Sequence, residues 1–119
     1  MTDENINKKN RWIIIGLGNP GREYKNTRHN LGVEAIVHYA KAEGIQFSKR
    51  RKLYSLAEIK TETNEIFLLK TKTFVNESGI AVKRAVEALQ GNIVPLIVCD
   101  DINLPFGKVR LRKRGNSGG

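Results

Sequence analysis

Trp12-Ile13-Ile14-Ile15-Gly16-Leu17-Gly18-Asn19-Pro20-Gly21 is the stretch from which the rest of the chain can be read. Its first four residues are a short apolar, largely β-branched run closed by glycine. Such a run predicts a strand buried on both faces, as in a parallel or mixed sheet. The glycine loop that follows fits the letters of the dinucleotide fingerprint G-x-G-x-x-G, so a nucleotide pocket has to be weighed. In that fold the helix opens inside the glycine loop, and its first amides hold the pyrophosphate. Here the first periodic helical residue is Val33, more than ten residues beyond Gly21. Pro20 also removes one amide from the cradle, and no second strand ends in an acidic residue at the required distance. The nucleotide reading is therefore set aside.

Working outward, Val33, Ile36, Val37 and Ala40 recur at helical spacing, and Gly44 is placed to end that helix. Residues 53–59 and 65–69 read as two strands joined by a polar turn at Glu62-Thr63-Asn64. A second helix carries Val82, Ala85, Val86 and Leu89, with Asn76 or Ser78 as its N-cap and Gly91 at its end. Pro95-Leu96-Ile97-Val98-Cys99 is a further buried-strand run. Lys108-Val109-Arg110-Leu111-Arg112 alternates basic and apolar residues, so one face should pack while the other presents three cations.

With 119 residues the chain is one small domain or part of one. Residues 1–11 are polar and read as a loose, disordered tail, neither secretory signal nor membrane anchor. Residues 12–119 carry the fold. Five strands with only two helices, and an ending in Gly115-Asn116-Ser117-Gly118-Gly119, predict a domain cut off at its C-terminal side. Twenty-one Lys and Arg against twelve Asp and Glu leave a net charge of +9, which favours a polyanionic partner. Cys99 is the single cysteine, so no intrachain disulfide can form and a reducing, cytoplasmic setting is expected. No apolar run approaches the length of a membrane span.

Chemistry concentrates in two places. Tyr24-Lys25-Asn26-Thr27-Arg28-His29-Asn30 is a polar run beside an apolar helix, and Asn19 and Asn30 flank His29 with neutral amides suited to a substrate's polar groups. A lone histidine at a helix start ordinarily bonds backbone, and His38, inside the first helix, is read as structural. Asp100 and Asp101 close the late apolar strand, where open α/β sheets carry functional groups. Neighbouring strand residues face opposite ways, so a single Asp–His pair is more economical than a metal site. A carboxylate in a turn before Pro105-Phe106-Gly107 stays open as the alternative. Two basic clusters, Lys49-Arg50-Arg51-Lys52 and Lys108, Arg110, Arg112, Lys113 and Arg114, contain no acidic residue and favour phosphate contacts.

Ile15-Gly16-Leu17-Gly18-Asn19-Pro20-Gly21, followed by Tyr24 and Thr27-Arg28-His29-Asn30, resembles the opening signature of bacterial-type peptidyl-tRNA hydrolases. Thr73-Phe74-Val75-Asn76-Glu77-Ser78-Gly79 resembles the family's second motif. Asp100-Asp101 through Leu104-Pro105-Phe106-Gly107, then Gly115 to Gly119, resembles its third. The likeness spans residues 12–119 in the family's order. It implies an α/β fold, a three-layer α/β/α domain around a twisted mixed sheet, here incomplete at the C-terminal side. The implied activity is hydrolysis of the ester between a peptide and tRNA, with no cofactor or metal, in the cytoplasm and as a monomer. By resemblance His29 is the catalytic histidine and Asp100 its partner. Asn19 and Asn76 match substrate-binding asparagines, and Tyr24 a tyrosine at the site's edge.

Departures accompany the likeness. Val75 stands where the family usually has methionine, and Asn103 replaces a frequent aspartate. The family's following His-Asn-Gly stretch, with a further central strand and closing helices, is not in this sequence. On that ground the chain alone is expected to be poorly stable and weakly active or inactive. Three readings remain: a hydrolase, a non-catalytic RNA-binding module resembling the plant organellar splicing branch, and a nonfunctional fragment.

Overall fold

The computed structural model describes residues 9–18, 30–74 and 77–99. Strand β1 (Asn10–Gly16) lies between two parallel neighbours, β4 (Asn64–Thr71) and β5 (Val94–Val98). Beyond β4 the sheet turns antiparallel through β3 (Tyr54–Lys60) and the two-residue β2 (Lys49–Arg50), giving the order β2-β3-β4-β1-β5. Helix α1 (Leu31–Ala42) connects β1 to β2, and helix α2 (Ser78–Leu89) carries the chain from β4 across to β5.

Strand alternation sorts the apolar side chains into two cores. Ile13, Ile15, Tyr54, Leu56, Phe67 and Leu69 meet Ala81 and Ala85 of α2. On the other face Ala57 and Leu68 meet Ala40 of α1, with Ile14, Ile59 and Ile66 packed alongside. The helices thus cover opposite faces of a mixed sheet, and the domain has the three α/β/α layers expected.

Local signals act as the sequence suggests at several joints. Helix α1 ends in a Schellman motif: the Ile45 amide donates to the Ala40 carbonyl at 2.8 Å and the Gly44 amide to Lys41 at 3.1 Å, with Gly44 at φ +70°. The β3–β4 turn is tied by Thr61, whose amide donates to the Asn64 carbonyl at 2.9 Å. The buried stripe of α1 is Gly32, Ile36 and Ala40, whereas Val37 is exposed.

Four expectations need correction. The fold does not start at Trp12, because β1 begins at Asn10, whose amide donates to the Thr63 carbonyl at 2.9 Å; residues 1–8 lie outside the described residues. Arg11 is anchored as well, through Glu65 and the end of α2. The late strand is not doubly buried: β5 is last in the strand order of the described residues, and Val94 and Ile97 are 49% and 57% exposed. Cys99 follows that strand and is exposed, so it does not sit inside an apolar layer. Ser78 is no N-cap but the first helical residue; it shares the buried stripe with Ala81 and Ala85, and its hydroxyl has no hydrogen-bond partner among the described residues. The expected strand at residues 108–112 lies outside the described residues.

Candidate active site at the carboxyl ends of the parallel strands

Three parallel strands end side by side at Thr71, Gly16 and Val98. The chain leaves β1 and β4 toward helices on opposite faces, the arrangement that opens a crevice beyond the strand ends in α/β sheets. The β1–α1 loop contains Asn19, Tyr24 and His29, the β4–α2 loop contains Asn76, and the segment after β5 begins with Cys99 and Asp100. Those five candidates, His29, Asp100, Asn19, Tyr24 and Asn76, lie outside the described residues. Immediate chain neighbours of four of them, Asn19, His29, Asn76 and Asp100, are described: Gly18, Asn30, Glu77 and Cys99.

Those neighbours converge. The Leu17 amide donates to the Val98 carbonyl at 3.2 Å, extending the β1–β5 ladder by one bond. The Leu17 carbonyl accepts from the Val33 amide at 3.1 Å and fastens the end of β1 to the first turn of α1. Gly18, one residue before Asn19, packs against Asn30, one residue after His29: a Cβ on Gly18 would stand 2.7 Å from Asn30 Oδ1 and 2.8 Å from Val33 Cγ2. Gly32 is pressed against the same junction, where a Cβ would overlap the Val98 carbonyl oxygen and lie 2.7 Å from that of Leu17. Only a residue without a side chain lets α1 start that close to two strand ends.

The segment before Asn76 shows a second feature. Thr71, Thr73 and Ser78 each bury a hydroxyl oxygen with no hydrogen-bond partner among the described residues, at the end of β4 and the start of α2. Helix α2 starts after the acidic N-cap Glu77, and among the described residues no side chain hydrogen-bonds its leading amides, which face the crevice side. His38 is exposed on α1, away from this junction.

The family model described as peptidyl-tRNA hydrolase matches residues 13–119 of this chain. The chain belongs to the peptidyl-tRNA hydrolase family. A peptidyl-tRNA hydrolase from Chlorobium phaeovibrioides is 46% identical over 110 residues, covering 90% of this chain and 57% of its own length. One from Carboxydothermus hydrogenoformans is 44% identical over 109 residues, covering 91% and 58%. The crystal structure of peptidyl-tRNA hydrolase from Acinetobacter baumannii superposes with a TM-score of 0.81 at 32% identity, covering 93% of this chain and 58% of that one. The chain thus spans a little under three-fifths of the length of these peptidyl-tRNA hydrolases. No helix among the described residues is long and apolar enough to cross a membrane.

The sequence motifs singled out the loops of the site but not the packing behind them. Gly32 carries no motif letter that announces its contact with Val98. Its signal, a small residue on the buried face at a helix start, is visible only once the partner strand is known.

Proposed function

We propose that this chain hydrolyses the ester joining the C terminus of a peptide to the ribose of tRNA, releasing both. One observation carries the reading: every loop bearing a candidate residue leaves the carboxyl end of one of three adjacent parallel strands, β4, β1 or β5. In the proposed reaction the neutral imidazole of His29 takes a proton from a water molecule as that water attacks the ester carbonyl. Asp100 accepts the other imidazole N–H, fixes the tautomer and stabilises the imidazolium. General-base assistance of this kind contributes roughly 10²–10⁴-fold.

As the carbonyl oxygen gains negative charge, the side-chain amides of Asn19 and Asn76 donate to it. Loss of one such donor costs about 3–4 kcal/mol of transition-state stabilisation. Collapse of the tetrahedral intermediate expels the ribose oxygen, which takes the proton back from His29. Tyr24 borders the peptide side. Lys108, Arg110, Arg112, Lys113 and Arg114 contribute cations toward tRNA phosphates. An ester's leaving group makes neither metal nor cofactor necessary, and the monomer works in the cytoplasm, where peptidyl-tRNA arises.

The test is release of free tRNA from an N-acetylated aminoacyl-tRNA by the 119-residue chain. Weak turnover that disappears in His29→Ala is the expected result. Turnover unchanged in that variant overturns the role of His29. No turnover, with salt-sensitive RNA binding intact, overturns hydrolysis by this chain in favour of an RNA-binding module.

A further inference from the structure

Strand pairing sets Arg50, Ser55, Lys70 and Gly16 side by side in one row across β2, β3, β4 and β1. Residues opposite one another in a pleated sheet project to the same face, and strands are about 4.8 Å apart. Arg50 and Lys70 therefore stand roughly 10 Å apart with only the small, buried Ser55 between them. Gly16, at the other end of the row, is the last residue of β1 and the point from which the site's first loop departs.

Further cations are locked to the same corner. Lys72 Nζ donates to the Arg51 carbonyl at 2.8 Å, and the Lys72 amide donates to the Leu53 carbonyl at 2.8 Å. Lys70 Nζ lies 4.8 Å over the ring of Phe47, which holds it in place. Partial burial, then Lys72, then Arg50 keep the Lys70 ammonium below the ordinary lysine value. No Asp or Glu occurs in residues 45–57 or 66–76. Among the described residues the ion pairs are Arg11–Glu65 and Lys60–Glu58, and no described carboxylate pairs with these cations. Crowding like charges in a half-buried corner costs stability, and a polyanion laid across them removes that cost.

We infer that Arg50, Lys70 and Lys72, flanked by Lys49 and Arg51, form a phosphate-binding track on which the RNA body of the substrate docks, its 3′ end led toward the crevice. The track rests on the reading of an RNA-linked substrate given above, and it draws on cations other than those of residues 108–114. A strip spanning three strands suits successive phosphates of one nucleic-acid strand, whereas a small anion would need a single closed pocket.

Binding of deacylated tRNA to the full chain, followed by fluorescence anisotropy between about 50 and 200 mM salt, tests the track. The variant Arg50→Gln/Lys70→Gln/Lys72→Gln is compared with Lys41→Gln/Lys83→Gln/Arg84→Gln, which removes the same charge from the exposed helix surfaces. The track variant should bind about tenfold more weakly and lower the slope of log K against log salt by about two to three, with the helix variant changing far less. Equal losses in the two variants, an unchanged slope, or no binding by the parent chain overturns the proposal. Should the triple variant fail to fold, Lys72→Gln at its exposed position should lower the slope by about one, and no change overturns the track. Deacylated tRNA carries no ester, so a chain that loses this binding yet never hydrolyses substrate sinks the hydrolase reading while the track stands.

Discussion

Gly32, in the first turn of α1, packs against the carbonyl of Val98 at the end of β5, and it touches the backbone of Leu17 in the same junction. The contact locks one helix start to two strand ends at the point where the site's loops emerge. Gly32→Ala would push a methyl into backbone atoms that cannot rotate away. A loss of about 1–3 kcal/mol is expected, seen as a lower urea midpoint, with activity falling as the strand ends separate. Stability equal to the parent would show that the junction yields.

Arg11 holds the opposite end of the sheet. Its guanidinium donates to the carbonyls of Leu89 at 3.1 Å and Gln90 at 2.5 Å, pairs with Glu65 at 3.3 Å, and lies 5.7 Å over the Phe67 ring. One side chain thus caps α2 and ties it to β1 and β4. Arg11→Met keeps the aliphatic stem and removes the donors, so a loss of about 2 kcal/mol is expected on thermal or urea unfolding. Beside it Gln90 sits at φ 54°, ψ 159°, a conformation suited to glycine. Gln90→Gly should raise stability by about 1 kcal/mol, and a decrease would mean that the backbone there is relaxed.

Lys70 gives a pH signature. Its ammonium is held below the ordinary lysine value by burial, Lys72 and Arg50. Between its folded and unfolded pKa the unfolded chain therefore binds more protons, and this group's contribution to stability rises with pH. Below the folded pKa the charged lysine carries its full penalty. Lys70→Gln should accordingly be more stable than the parent near neutral pH, with the advantage shrinking as pH climbs toward the unfolded lysine value. Melting midpoints measured across that range check it; a gap that widens with pH contradicts the sign.

Much of the secondary structure was legible. The β-branched run at Trp12-Ile13-Ile14-Ile15, the helical stripes around Ile36 and Ala85, and the glycine at position 44 each express a local preference that survives packing. The loops that contain the candidates Asn19, His29, Asn76 and Asp100 leave the carboxyl ends of β1, β4 and β5, while the candidates themselves lie outside the described residues. Burial was less readable. Val94 and Ile97 look as core-forming as Ile13 and Ile15, yet their strand lies last in the described order.

The amino-acid order alone, then, established the strand and helix types, the basic character and the loops in which polar chemistry gathers. Those properties depend on neighbours a few residues away. Folding in three dimensions settled which face each helix covers, which of the described strands lies last, that Gly32 must meet Val98, and that Lys70 joins Arg50 in one row. Such facts arise from contacts between residues far apart in the chain, Trp12 with Val94 and Gly32 with Val98 among them. Hydrogen-bond register and close packing set them, and neither leaves a periodic trace along the chain.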